Sequence, residues 1–222
     1  MQKNTCTYRK INNLDNAAEA EKLARCYQEV FAGYPWNEYK KCPDCGVRWG
    51  KEDAPEDGRC SKCDATPVLV DFWAKEDVIN DFQKQLQSSS GVLCVAVNSR
   101  DEITGFCSGY ETTPEELEKH LQLPELAKWL RCYFPNGVRF GYQDEIGVLD
   151  SYRGQKIATE LFKKRMEDFK ASGLDIAVLR TKTMPPTITF KWYPRLGYSV
   201  IQCYHDDDCR VIMATEIKSI QL

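Results

Sequence analysis

Two Cys-x-x-Cys units, Cys42-Pro-Asp-Cys45 and Cys60-Ser-Lys-Cys63, are separated by 14 residues. Such a turn lets both of its sulfurs grip one ion. Two turns complete a tetrahedral all-thiolate set with no open position, the donor set of structural rather than catalytic Zn2+. Gly46, directly after the first unit, suits a turn that brings backbone amides toward sulfur. A second pattern runs from Val148 through Arg153-Gly154-Gln155-Lys156 into Ile157-Ala158-Thr159: strand, tight turn, start of an amphipathic helix. Free amides at a helix N-terminus attract anions, and small residues let a pyrophosphate approach the backbone. The run His205-Asp-Asp-Asp-Cys209 reads more simply as a polar turn than as a metal site. His120 and His205, the two histidines, fall in no hydrolase or metalloprotease motif.

Composition sets the frame for these motifs. The chain has 222 residues, 42% hydrophobic and 28% charged, with 30 basic against 33 acidic side chains. This is globular usage and excludes a disordered tail or a polycation. The length suits one domain with an insertion. Residues 38–64 hold six basic and seven acidic side chains, a balance that argues against a phosphate footprint and a nucleic-acid partner. Of eleven cysteines, the seven outside the paired units (Cys6, Cys26, Cys94, Cys107, Cys132, Cys203, Cys209) lie mostly in apolar stretches and read as small buried hydrophobes. No apolar run reaches the roughly 18 residues of a membrane span, and the start lacks an apolar signal region. The expectation is a cytoplasmic protein with reduced thiols and no membrane partner.

The elements that must position the motifs follow from periodicity. A short strand is predicted over 7–11 and a helix over 16–32, capped by Asp15 or Asn16 and ended by Gly33. Residues 33–64 are rich in aromatics and turn formers and nearly free of aliphatics, so they cannot build a core. Val78, Ile79, Phe82 and Leu86 mark a second helix. Val92–Val97, apolar throughout, reads as a strand buried on both faces, followed by a hairpin partner from Ile103 to Tyr110. Thr113-Pro114-Glu115-Glu116 has capping-box spacing, with an interruption of the helix near Pro124. A third strand lies between Arg139 and Leu149. Ile157, Leu161, Phe162, Met166 and Phe169 form the inner stripe of a long helix. A strand at 176–181, a short helix over 186–195 and a strand pair at 198–204 and 210–217 complete the chain. The fold class is mixed α/β: a central mixed sheet with helices on both faces, plus a small insertion of zinc-ribbon type built on the four paired cysteines. The division is 1–35 and 66–222 for the main domain and 36–65 for the zinc-ribbon-like insertion.

The turn at Arg153 and Ala158, joined with Phe190-Lys-Trp-Tyr193-Pro-Arg-Leu-Gly197-Tyr198, resembles the GCN5-related N-acetyltransferase (GNAT) superfamily. Its pattern is an Arg/Gln-x-x-Gly-x-Gly/Ala turn and a later Tyr-x-x-x-Gly-Phe/Tyr segment. Arg153, Ala158, Tyr193, Gly197 and Tyr198 match. Lys156 stands where an inner glycine is usual, and Pro186 and Thr189 stand where asparagine and alanine are frequent. The resemblance implies acetyl transfer from acetyl-CoA, as co-substrate, to an amine of a small molecule or a peptide. It places Ile146, Val148, Arg153, Gly154, Gln155, Lys156, Ala158 and Thr159 at the cofactor and Tyr193 as general acid. It also implies a bulge that splays the strand before the turn, with which Gly147 is compatible.

An aliphatic amine is mostly protonated near neutrality, so a base must take its proton. Asp144 and Glu145 are the candidates. Period-two alternation puts Asp144 on the side of Ile146 and Val148 and Glu145 on the other, unless the bulge intervenes. Tyr34, Trp36 and Tyr39, in the connection after the first helix, would border the acceptor or pack the insertion onto the main domain. The alternative class is a degenerate fold that binds CoA as a sensor or docks proteins through its ribbon. Monomer and homodimer both remain open.

Overall fold

The computed structural model describes residues 6–63, 66–184, 186–204 and 209–220; the expected turn at His205–Asp208 lies outside them. The elements follow in the order β1 (Thr7–Lys10), α1 (Ala17–Ala32), β2 (Lys40–Lys41), β3 (Arg48–Trp49), β4 (Val70–Asp71), α2 (Lys75–Gln87), β5 (Val92–Val97) and β6 (Ile103–Thr112). Then come α3 (Pro114–Leu121), α4 (Leu126–Tyr133), β7 (Phe140–Gln143), β8 (Ile146–Val148), α5 (Ile157–Ala171), β9 (Ile176–Lys182), α6 (Ile188–Trp192), β10 (Ser199–Cys203) and β11 (Arg210–Glu216).

Local chemistry sets the boundaries. The Asn16 side chain accepts from the amides of Ala18 and Glu19 at the head of α1, an N-cap that satisfies two otherwise orphaned donors. Thr113 and Glu116 close a reciprocal capping box at α3. The main sheet runs β1-β5-β6-β7-β9-β11-β10, with β8 also paired to β6. Its pairs are antiparallel except β7 with β9. That parallel pair needs a long crossover, and β8, the following turn and α5 supply it.

Alternation along β5 divides the core. Val92, Cys94 and Ala96 pack with the α5 stripe, while Leu93, Val95 and Val97 pack with α1 and α2. A third cluster joins α3 and α4 to Tyr142, Val178 and Ile212. All five residues of the predicted α5 stripe are buried. Of the seven cysteines outside the paired units, Cys26, Cys94 and Cys107 are buried, but Cys132 and Cys203 are exposed. These two fall on the outer face of α4 and on edge strand β10, which the apolar setting of their sequence did not reveal.

The insertion forms a separate three-stranded sheet, β3-β2-β4. Its third strand comes from Val70–Asp71, so its pairing reaches past residue 65. The cysteine turns stand at its end, with Gly46 in the left-handed conformation at φ 70°.

Candidate active site

The single strand expected between Arg139 and Leu149 is two strands. The anterior part of β6 pairs with β8 (Gly105 with Val148, Cys107 with Ile146), and its posterior part pairs with β7 (Tyr110 with Tyr142). Asp144 and Glu145 fall between, opposite Ser108, whose amide donates to the Glu145 carbonyl at 2.9 Å. Two residues facing one is a bulge. It breaks the alternation: Ile146 and Val148 pack toward α5, whereas Asp144 and Glu145 both turn to the α1–α2 face. Asp144 accepts from Gln85 of α2 at 2.6 Å, and Glu145 lies 3.5 Å from the Tyr27 hydroxyl of α1. Asp144 is therefore not on the side that simple alternation predicts, because the bulge intervenes before Glu145. Gly147 is not the bulged residue. It is small because a Cβ there would lie 2.8 Å from both Phe106 and Val30.

The bulge also opens the sheet. β7 pairs with β9 as far as Gln143 and Leu179, but β8 makes no ladder with β9. Leu149 N and Glu145 O bond to β6, so by alternation the backbone groups of Ile146 and Val148 point to the gap. The Val148 carbonyl takes the Arg153 guanidinium at 3.3 Å. The gap is a cleft of about 470 Å³, lined in part by Ile146, Val148, Arg153, Gly154, Lys156, Ala158 and Thr159, the predicted cofactor residues apart from Gln155. At its end, Gly154 and Lys156 both adopt left-handed backbone, at φ 76° and 64°, and turn the chain into α5. The first bond closing the helix runs from Glu160 N to Lys156 O at 3.1 Å, so the amides of 157–159 have no acceptor within the helix. A glycine is usual at position 156 because only glycine takes this conformation without steric cost.

Asp144, Glu145 and Tyr193 line the same cleft. Burial, and next the charge of Asp81, push the Asp144 carboxyl up to about 7. Burial and the Asp144 charge hold Glu145 well above the ordinary carboxyl range. Burial raises the Tyr193 phenol, and the neighbouring Arg165 opposes that shift. Of the predicted acceptor residues, Trp36 lines the cleft, edge-on to Phe31 with centroids 5.7 Å apart and with the Lys182 ammonium 5.5 Å over its ring. Tyr34, 72% exposed, and Tyr39, whose ring meets the Lys40 ammonium at 5.2 Å, are not part of the lining.

Arg165 escaped the sequence reading. Fully buried in α5, it donates from Nη1 to the carbonyls of Ser108 and Glu145, each at 2.8 Å. Its Nη2 reaches Gln143 Oε1 at 2.8 Å and the Tyr193 hydroxyl at 3.4 Å. It thus ties the bulge to Tyr193. The signal was its place at the i+4 interval between Leu161 and Phe169, a charge set inside an apolar stripe.

Residues 62–198 match the family described as Acetyltransferase (GNAT) family. The chain belongs to this family. GNAT folds recur among solved structures at low identity. NAA60 of Arabidopsis thaliana in complex with acetyl-CoA is 13% identical with a TM-score of 0.55, covering 96% of this chain and 99% of that one. The protein yncA of Salmonella typhimurium, solved with its cofactor acetyl-CoA, is 9% identical with a TM-score of 0.55, covering 96% and 94%. The NatC complex bound to Gag peptide and CoA is 10% identical with a TM-score of 0.53, covering 95% and 98%. No curated protein matches the sequence.

Away from the cleft, the Sγ atoms of Cys42, Cys45, Cys60 and Cys63 lie within 4.8 Å of one another. Cys42 Sγ lies 3.5 Å from Cys63 Sγ, and Cys45 Sγ lies 3.8 Å from Cys60 Sγ. Sulfurs around one tetrahedral Zn2+ stand about 3.8 Å apart, so the donor set fits. The Cys45 and Lys62 amides point at the sulfurs of Cys42 and Cys60, each at 3.4 Å. Among the described residues, no helix is long and apolar enough to cross a membrane.

Proposed function

We propose that this GNAT protein is an N-acetyltransferase that moves the acetyl group of acetyl-CoA directly onto an amine of a small molecule or peptide. The observation that carries this reading is the bulge at Asp144 and Glu145. It opens the sheet, frees the edge groups of β8 and faces two carboxyls into the cleft that Tyr193 closes. The left-handed turn and the free amides of 157–159 would hold the pyrophosphate, with Lys156 adding a cation beside it. Ile146 and Val148 would hold the pantetheine arm along the open edge.

Acetyl-CoA supplies a thioester that is already activated, so the chain's own groups have three tasks. Asp144, with its carboxyl near 7, is ionised often enough at neutral pH to take the amine's proton, while burial and the Asp144 charge make Glu145 hold its proton more tightly than a free carboxyl. The Val148 amide donates toward the carbonyl oxygen as negative charge develops on it. Tyr193, whose raised phenol holds its proton at neutral pH, gives that proton to the departing thiolate. One C–N bond forms and one C–S bond breaks; nitrogen loses its first proton to Asp144 before attack, Tyr193 gives its proton to sulfur, and the second nitrogen proton returns to the Tyr193 phenolate, leaving a neutral amide and a free thiol. The four-cysteine cluster would carry one structural Zn2+ that holds the ribbon as an insertion in a single catalytic domain.

Thiol release from acetyl-CoA across amines, amino acids and peptides tests the reading, with Tyr193→Phe as control. Turnover that falls in the variant supports it. Coenzyme A binding with no turnover, and indifferent to Tyr193→Phe, would favour a sensor instead.

A further inference from the structure

Arg180 also lines the cleft and is half-buried, yet it makes no hydrogen bond or ion pair among the described residues. Its position gives that fact weight. Gln143 and Leu179 are the last paired residues of β7 and β9, so Asp144 and Arg180 follow as lateral neighbours where the strands part. Period-two alternation puts Arg180 on the face of Val178, and Asp144 is on the face of Tyr142, the same side of the sheet. Opposite charges on adjoining strands ordinarily close on each other. Here the carboxylate turns instead to Gln85 Nε2 at 2.6 Å, and the guanidinium keeps its fork of donors for the cleft.

A planar fork partly withdrawn from water matches a carboxylate through two parallel bonds. Of the other cations of the lining, Arg165 has its donors taken by Ser108, Glu145, Gln143 and Tyr193, and Arg153 and Lys156 stand on the turn before α5. Arg180 therefore faces the acceptor, not the phosphates. The guanidinium charge acts on Asp144 and Glu145, but a diamine would set its second cation against it, and a neutral acceptor would leave its fork of donors without a charged partner.

We infer that the acceptor is an amine that also carries a carboxylate, of the α-amino-acid class, with the carboxylate in the fork of Arg180 and the amine beside Asp144. Neighbouring strands stand about 4.8 Å apart, so the two groups of the acceptor belong on the same or adjacent carbon atoms. Arg180 is then the residue that sets acceptor specificity. The inference deepens the transferase reading and rests on it for the fate of the amine, but not for the binding of the acid.

The test compares each common L-amino acid with its α-carboxamide and its aminophosphonate analogue, by thiol release and by calorimetric titration into the CoA-loaded protein. Wild type should prefer the acid of at least one set over its amide. Arg180→Met should lower that acid-over-amide ratio about 100-fold, the loss expected of a charged bidentate contact, and Arg180→Lys should lower it less. Equal use and equal binding of acid and amide, a preference for the phosphonate, or a ratio untouched by Arg180→Met would each overturn the inference. Acids bound through Arg180 without thiol release would sink the transferase reading and keep the carboxylate anchor. Transfer to amines with no preference for acids would do the reverse.

Discussion

The ribbon and the main sheet reach order by opposite means. In the ribbon, three two-residue strands enclose a cluster of buried Cys42, Cys60 and Leu69, with Trp49 and Cys63 against it. Val47, Val68 and Val70 stay exposed. Too little apolar surface is covered to offset the chain entropy of ordering it, so the geometry hangs on four sulfurs. In the main domain every residue of β5 is buried, and three clusters spread the stabilisation over many side chains. That breadth lets the sheet hold a gap and a buried arginine at its centre. On the proposed reading of one ion held by four sulfurs, the ribbon can be lost at once; a region stabilised by many contacts tolerates local defects and can carry chemistry.

The widest separation of the two regions should come from Cys60→Ser. The metal-binding free energy of an all-thiolate site is about 10–16 kcal/mol, so metal analysis should fall from about one zinc per chain toward none. Hydrogen exchange should then show residues 40–71 losing protection while β5 keeps it. A ribbon that stays protected without metal would erase the contrast. The converse is Phe162→Ala, which empties a site in the α5 cluster and should cost about 3–5 kcal/mol in urea unfolding, with zinc content unchanged.

A third test asks whether the gap in the sheet is the chemical region. Below pH 7 the Asp144 carboxyl gains a proton and can no longer accept one, so kcat should fall on the acid side of about 7. Asp144→Asn should abolish that limb and lower kcat about 100-fold. A limb that persists in the variant would move the base to another group. The smallest effect is expected at Lys156, held at φ 64°. Lys156→Gly should relieve about 1 kcal/mol of strain and raise Tm slightly, while weakening CoA binding through the lost cation. An unchanged Kd for CoA would show that the backbone alone holds the phosphates.

Legibility in the sequence followed the range of the interaction. The helices of Asn16, Thr113 and the Ile157 stripe could be read because caps and 3.6-residue periods are local. The cysteine turns could be read because their spacing encodes the donor set. Asp144 and Glu145 could be named but not oriented, since the bulge that turns both to one face arises from pairing β6 with two different strands. Arg165, Gln85 and Arg180 were passed over because their meaning comes from partners, or the lack of them, far away in the chain. Trp36 was separated from Tyr34 and Tyr39 only by the path of the chain between α1 and the ribbon.

By itself, the sequence determined that one α/β domain carries a four-cysteine insertion, that a phosphate-type turn precedes α5 and that Tyr193 belongs with that turn. Each cysteine turn and the turn before α5 depend on residues within a few positions of one another, and Tyr193 is joined to that turn by the family pattern the two segments share. Only the tertiary structure decided where the sheet parts, which faces the two carboxyls take, that Arg165 ties the bulge to Tyr193 and that Arg180 stands beside Asp144 with no hydrogen bond or ion pair among the described residues. These depend on strand register and on side chains packed from four separate elements. A chain read one window at a time does not contain that information.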